Sequence, residues 1–396
     1  MSAQAKTALI VGAGIAGSSL AFHLAKKNYQ VTLLDRNAHD EIDIFHNKAV
    51  EMSPHFMLNN PRYNSLMIEA SKYSYRLVKE FNFSKKNALL EGVVKLYDIG
   101  VAERLVKMMA KIDVVKAAFK YLPEDIINKK YSINSKTGIF FKYGGWVSPK
   151  KICSVLIEHK NIKLIAKSEV KKISYKKNQW FLGCQNLHEH SASNLIFCNS
   201  FSLGHVNLFN NLDLKKTRGQ VNWIPRQKDT QAKEIISDKG YLIPDVSGVD
   251  VIGSTYGRSN DNNQLSEDDF KKNLKAYQRL TGNQLNQKCL PNNGWVGWRA
   301  VSPDRNPYVG QVLNASKELT KNPKSLNDLN WHPNLFVNAG YGSRGYTLAP
   351  FVSKCLASKI DASQTAEEED ILNYLNPCRG SLKKLGLRKK IFLNSI

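Results

Sequence analysis

Several things are scarce in this 396-residue chain, and each shortage excludes something. No segment reaches the ~18 uninterrupted apolar residues that a membrane span needs. The first apolar run is broken at once by glycines, so it does not read as a cleavable leader, and a cytoplasmic protein is expected. The six cysteines (Cys153, Cys184, Cys198, Cys289, Cys355, Cys378) are scattered without a C-x-x-C, which argues against a disulfide framework or a metal ribbon. Each lies in an apolar or strand-like context and reads as a buried thiol. The nine histidines contain no pair at helical metal spacing, so no metal is expected. Acidic residues are also few: 34 against 57 lysines and arginines, for a net charge of +23. That excess reflects either a lysine-rich composition or a polyanionic partner drawn by phosphate electrostatics. With 42% apolar residues, the chain can bury a large core, in about two domains that need not be contiguous.

What is present begins at the N-terminus. Ala8-Leu9-Ile10-Val11 has β character, Gly12-Ala13-Gly14-Ile15-Ala16-Gly17 follows, and Ser18 to Lys27 has helical spacing. Val31-Thr32-Leu33-Leu34 then ends in Asp35. Strand, glycine turn, helix, strand and acid form the dinucleotide-binding βαβ unit. Gly12 permits the tight turn, Gly14 lets backbone approach a pyrophosphate, and Gly17 lets helix and strand pack closely. The helix N-terminus supplies N–H groups and a positive dipole. Asp35 stands where a carboxylate accepts from a ribose diol; Arg36 beside it is either solvated or turned to a 2′-phosphate.

Further along, Asn37 to Asn60 is irregular, and Asn64 to Phe81 is helical by period. Residues 84–143 mix short strands with a basic helix, Val101 to Lys116. Ser148-Pro149 starts a helix running to about His159. Strand-like segments follow at Ile162–Ile165, Glu169–Tyr175, Gln179–Cys184 and Asn194–Asn199, then at Gln220–Ile224, Gly240–Ile243 and Asp250–Gly253, with a helix from Asp268 to Leu280. Asn327 to Pro333 reads as a polar loop. Leu335 to Ala339 reads as a buried strand, Gly340-Tyr341-Gly342-Ser343-Arg344-Gly345 as a second glycine turn, and Thr347 to Ile360 as a helix.

Two strand–glycine–helix units at opposite ends predict a mixed α/β protein. Its Rossmann-like dinucleotide domain would be assembled from both termini (1–62, 145–215, 332–378) around an inserted β-rich substrate domain (63–144, 216–331). A basic tail, 379–396, would complete it.

One segment narrows the class: Gly297-Trp298-Arg299-Ala300-Val301-Ser302-Pro303-Asp304-Arg305-Asn306-Pro307-Tyr308-Val309-Gly310. Together with the glycine fingerprint, Gly144-Gly145-Trp146 and Gly342-Ser343-Arg344-Gly345, it resembles the flavin amine-oxidase family of the D-amino-acid oxidase fold. The resemblance implies non-covalent FAD and a substrate carboxylate held by Arg299, a role that suits a planar guanidinium. The alternative is a structural arginine paired with Asp304. Thr217 to Val221, Gly240 to Pro244, Gly253 to Arg258 and Ala349-Pro350 look like the FAD domain of bifunctional tRNA wobble-uridine biosynthesis enzymes.

That likeness implies oxidative removal of the carboxymethyl group from 5-carboxymethylaminomethyluridine in tRNA, with Tyr241, Tyr256 and Arg258 as further pocket candidates. It also implies that Asn47, Gly342, Ser343, Arg344, Gly345, Tyr346 and Thr347 join Gly12, Gly14, Ile15, Ala16, Gly17, Asp35 and Arg36 around FAD. Arg379, Lys383, Lys384, Arg388, Lys389 and Lys390 would then meet tRNA. The family's methyltransferase half is not represented, so a separate methyltransferase would act downstream. Phe45, His46 and Val50 are bulkier than the small residues of the family. That keeps a non-catalytic flavin- or RNA-binding protein open beside a small-molecule amine oxidase of glycine or sarcosine type.

Overall fold

A computed structural model describes residues 5–110, 118–210, 212–226, 233–257, 262–282, 292–314 and 329–384. β1 (Thr7–Val11) lies inside a six-stranded sheet. Its spatial order is β19 (Tyr308–Leu313), β20 (Trp331–Ala339), β13 (Asn194–Phe197), β1, β2 (Gln30–Leu34) and β9 (Ile162–Ile165). Neighbours are parallel except β19, which runs antiparallel to β20.

Successive side chains point to opposite faces, and both faces are covered, hence the continuous apolar run of β1. Ala8 and Ile10 pack on a helical layer of α1 (Ile15–Lys26), α2 (Pro61–Glu80), α5 (Pro149–Ile157) and α7 (Gly345–Ile360). Leu9 and Val11 pack on a small antiparallel sheet of β10 (Val170–Lys176), β11 (Gln179–Cys184) and β12 (Glu189–Ala192).

Local chemistry explains the helix starts. Asn60 caps α2 by accepting from the Tyr63 N–H at 3.0 Å, with Pro61 at the first helical position. Ser148 does the same for α5 ahead of Pro149. α2 straddles the expected domain division: Tyr63, Leu66, Met67, Ala70 and Leu77 form one helical face and bury in the α1/α7 layer, while Ile68 packs with Ile139 and Phe141 of the substrate-side sheet. β20 also begins at Trp331, inside the expected loop, because it pairs with β19 as far as Leu313.

The second sheet has eight strands. In order they are β18 (Gly294–Val301), β14 (Lys215–Pro225), β17 (Val249–Gly253), β16 (Tyr241–Val246), β15 (Ile235–Ser237), β5 (Val93–Tyr97), β7 (Thr137–Phe141) and β6 (Phe119–Leu122). All pairs are antiparallel except β15 with β5. One face carries α4 (Glu124–Tyr131) and α6 (Glu267–Thr281). The other packs Ile243 and Val251 against Ala49 and Trp146. Trp146 belongs to a third small sheet of β3 (Val50–Met52), β8 (Gly145–Val147) and β4 (Ala88–Leu89).

α3 (Ile99–Met109) stops well short of Lys116, and residues 111–117 lie outside the described ones. α8 (Ala366–Tyr374) and α9 (Arg379–Lys384) close the described chain. Cys153, Cys184, Cys198, Cys355 and Cys378 are free and buried, and Cys289 lies outside the described residues. Among the described residues, no helix is long and apolar enough to cross a membrane.

Candidate active site

The two glycine turns open on one cavity of about 1130 Å³, just above the usual range for a single small-ligand pocket. The N-terminal turn is shaped by close approach. Gly12 has φ +103°, and a Cβ there would stand 2.8 Å from the Cys198 carbonyl oxygen. A Cβ at Gly17 would fall on the Gly12 carbonyl, so this glycine serves packing and does not line the cavity. Gly14 has nothing within 4 Å of such a Cβ, so its backbone faces open space.

α1 and α7 have no side-chain cap and no acid in the first turn. α2, α5, α6 and α8 are capped by a side chain, whereas α3 and α4, away from the cavity, share the lack of one. A Cβ at Gly345 would stand 3.4 Å from Ile15 Cγ2, so the two uncapped starts are adjacent. Between them they offer unsatisfied N–H groups and aligned dipoles to an anion.

Asp35 follows β2 and lines the same cavity. Its Oδ2 accepts from the Ala13 N–H at 2.8 Å and its Oδ1 from the Asn37 N–H at 2.9 Å. Burial raises its pKa and those two N–H donors oppose the rise. Each oxygen keeps a lone pair for a ligand hydroxyl. Arg36 stands at the rim, 3.3 Å from Ser202 Oγ and half-exposed. Ile15, Ala16 and Asn47 also line the cavity. The bulky loop does not fill the space: Phe45 turns into the helical core, leaving Asn47 and Val50 at the wall.

The C-terminal turn contributes differently from expectation. The Gly342 N–H donates to Ala300 O at 2.9 Å and the Arg344 N–H to Tyr341 O at 3.1 Å, so those two amides are used within the protein. The Thr347 hydroxyl is also spent, accepting from the Ser53 N–H and donating to Ser53 O. Arg344 donates to the Tyr63 hydroxyl and the Arg305 carbonyl. The Tyr346 ring is buried, and its hydroxyl has no hydrogen-bond partner among the described residues. Gly342, Ser343, Arg344, Gly345, Tyr346 and Thr347 all line the cavity, but the side chains of Arg344, Tyr346 and Thr347 serve the scaffold first.

Arg299 stands on β18, opposite Thr217 of β14. Its guanidinium lies across the bare Cα of Gly219, where a Cβ would fall inside it. Tyr256, 62% exposed, stacks on the guanidinium with its ring centroid 4.4 Å from Cζ. Nη2 donates to Ser254 Oγ at 2.7 Å and Nη1 to Thr255 O at 3.3 Å. No carboxylate pairs with it among the described residues. Asp304 pairs instead with Arg379, at 2.8 and 2.9 Å, which holds its carboxyl well below the usual range.

Arg379 was expected among the cations that meet tRNA. It is buried and bonded to four backbone carbonyls besides Asp304, so it belongs to the scaffold. Lys383 is exposed. Arg258, Arg388, Lys389, Lys390 and the Lys384 side chain lie outside the described residues. Tyr241 lines the cavity, half-buried, with burial pushing its phenol up.

Sequence reasoning missed a polar group on the cavity wall. Glu51 accepts from Ser53 and pairs with Lys95 at 3.4 Å, with Ser237 Oγ at 3.5 Å. His55 also lines the cavity, its pKa pushed down to about 4 by burial and then by Lys95. These residues come from β3, β5, β15 and a loop, with no shared motif to connect them.

Uncapped helix starts, a carboxylate acceptor at the end of β2 and a backbone cradle open at Gly14 fit a dinucleotide cofactor. Residues 7–359 match the family described as FAD dependent oxidoreductase (DAO), and the chain belongs to that family.

Among individual relatives, the tRNA 5-methylaminomethyl-2-thiouridine biosynthesis bifunctional protein MnmC of Legionella pneumophila (strain Corby) is 27% identical over 96% of this chain and 58% of its own length. The protein of that name from Leptospira interrogans (strain Fiocruz L1-130) is 28% identical over 96% of this chain and 61% of its own. The chain thus spans about three fifths of the length of these curated relatives. Glycine oxidase from Geobacillus kaustophilus shares the fold at TM-score 0.72 and 16% identity, covering 91% of this chain and 95% of that one. L-proline dehydrogenase from P. horikoshii does so at 0.75 and 16%, covering 96% and 98%.

Proposed function

We propose that this protein oxidises the carboxymethylamino side chain of a wobble uridine in tRNA, converting 5-carboxymethylaminomethyl-(2-thio)uridine to 5-aminomethyl-(2-thio)uridine and glyoxylate. The observation that carries the reading is Arg299: a guanidinium on the cavity wall, gripped by Gly219 and Tyr256, with no carboxylate of its own among the described residues. Relatives named for tRNA 5-methylaminomethyl-2-thiouridine biosynthesis, aligned over 96% of the chain, support a substrate on tRNA, and a carboxymethyl group there is what the guanidinium would take. The net charge of +23 suits a polyanionic substrate.

FAD, when bound, would accept the hydride from the methylene between nitrogen and carboxylate. Gly12, Gly14 and the starts of α1 and α7 would hold its pyrophosphate, and Asp35 its ribose. The protein's own work is orientation. Arg299 takes both carboxylate oxygens through its remaining N–H donors, which fixes the position of the adjacent methylene. Tyr256 and the bare Gly219 keep the guanidinium in one plane. The oxidised carbon–nitrogen bond is hydrolysed by water, releasing glyoxylate and leaving the amine on the uridine. No protein nucleophile takes part.

Nucleoside mass spectrometry tests the proposal. FAD-loaded protein is incubated aerobically with tRNA carrying 5-carboxymethylaminomethyluridine, beside an Arg299→Ala control. Appearance of 5-aminomethyluridine, lost in the control, supports the reading. An unchanged nucleoside profile with flavin bound overturns it, and turnover of free glycine or sarcosine would then place the enzyme among small-molecule amine oxidases.

A further inference from the structure

We propose that Trp295 is the surface on which the pyrimidine ring of the substrate stacks, so that the cavity takes the carboxymethylamino group as part of a nucleotide. This rests on the function proposed above and adds how the base is recognised. Trp295, Gly297 and Arg299 alternate along β18 and therefore share one face. Opposite them on β14 stand Val221, Gly219 and Thr217, so Gly297 and Gly219 are direct cross-strand partners.

Neither glycine carries a side chain, and each bare Cα is covered by a flat group. A Cβ at Gly297 would fall inside the six-membered ring of Trp295, and a Cβ at Gly219 inside the Arg299 guanidinium. Opposed strand positions have Cβ sites about 5 Å apart, so indole and guanidinium lie side by side on a floor of paired glycines. Both line the cavity.

The chemistry of the two plates differs. The guanidinium takes a carboxylate; the indole offers a π face on which any base stacks. The proposed substrate carries these two features in one piece. Its pyrimidine C5 and carboxylate carbon are joined by four single bonds, about 5 Å when extended at ordinary bond lengths. That span matches the spacing of the two plates. The neighbouring Trp298 is otherwise engaged, its indole N–H donating to Asn263 at 2.7 Å and its face holding Lys216 at 3.9 Å.

The test uses FAD-loaded enzyme and an anticodon stem-loop RNA carrying 5-carboxymethylaminomethyluridine, comparing wild type, Trp295→Ala and Trp295→Phe. Stacking predicts that Trp295→Ala raises KM roughly 10- to 100-fold, the range that loss of one base–aromatic stack covers, with kcat nearly unchanged. Trp295→Phe, which keeps an aromatic face, stays within about threefold of wild type. Flavin absorbance reports that each variant is folded and loaded. A wild-type KM in Trp295→Ala overturns the inference, as does a Phe variant as impaired as the Ala variant, since a packing role would produce that. Failure of the wild type to convert the RNA at all would instead overturn the function and the inference together.

Discussion

Two arginines mark two regions of the molecule with opposite duties. Arg379, at the start of α9, is satisfied in full. Nε and Nη2 donate to Asp304, Nη1 to the carbonyls of Pro307, Leu375 and Asn376, and Nη2 also to Asn306 O. Its guanidinium lies 4.2 Å from the Tyr308 ring centroid, and its side chain is 4% exposed. Arg299 is also stacked on a tyrosine but makes two hydrogen bonds, neither to a carboxylate. A guanidinium has five N–H donors, so one arginine has nothing left to offer and the other leaves most of its fork without a partner among the described residues. Arg218, next to Thr217 on β14, follows Arg379: it is buried and paired with Asp269. Residue type and stacking do not separate scaffold from site here. Unused donors facing a cavity do.

The largest expected effect comes from breaking the comparison at the cavity. Arg299→Ala should lower kcat/KM for nucleoside conversion about 10³-fold, since two charge-assisted hydrogen bonds are worth roughly 1.5–3 kcal/mol each. Its urea midpoint should move little. Arg299→Lys keeps charge but loses the fork and should recover only part of the activity. The mirror change, Arg379→Met, should lower unfolding free energy by about 2–4 kcal/mol, chiefly because the four buried backbone carbonyls it serves lose their donor, the half-exposed Asp304 carboxylate adding little. Turnover per folded molecule should stay near wild type. An Arg379→Met enzyme with full stability, or an Arg299→Ala enzyme that unfolds, would reverse the assignment of the two roles.

A third change sharpens the contrast within the site. Gly219→Ala places a methyl group where the Arg299 guanidinium lies. The far end of a flexible side chain can move aside, so the fold should survive. The arginine loses its seat, and KM for the modified RNA should rise about tenfold, as a misplaced positioning group does.

The two arginines also show where sequence reasoning reaches and where it stops. The βαβ unit was legible because its signal is local: a continuous apolar run in β1, glycines at fixed offsets and an acid at the end of β2 all lie within 36 residues. The second glycine turn was legible for the same reason. The partner of Asp304 was not. Arg299 lies five residues away in sequence and Arg379 seventy-five, yet β18 carries Arg299 away to the cavity while α9 brings Arg379 back. The spent Thr347 hydroxyl was equally hidden, because its partner Ser53 is 294 residues distant. So was the Glu51–Lys95–Ser237 group, assembled by the parallel pairing of β15 with β5, two strands with no local signature linking them. Only tertiary contact decides which donors are consumed.

The smallest predicted effect uses pH to separate the arginines. Asp304 is held well below its ordinary value of 3.8, by Arg379 first among the attractive contacts, against the opposing effect of burial. A carboxyl with a depressed native pKa binds fewer protons folded than unfolded, so its stabilisation is complete above 3.8 and is lost as pH falls below that value. Its side chain is 38% exposed, so solvent screening keeps the contribution to roughly 1 kcal/mol or less. Urea unfolding followed downward from pH 5 should show this loss in wild type and a shallower one in Arg379→Met, which has no guanidinium for the carboxylate to lose. Arg299→Ala should follow the wild-type curve, because no described carboxylate depends on that arginine. A flattened curve in Arg299→Ala would mean that its charge is already spent on an acid within the protein and is not free for a substrate.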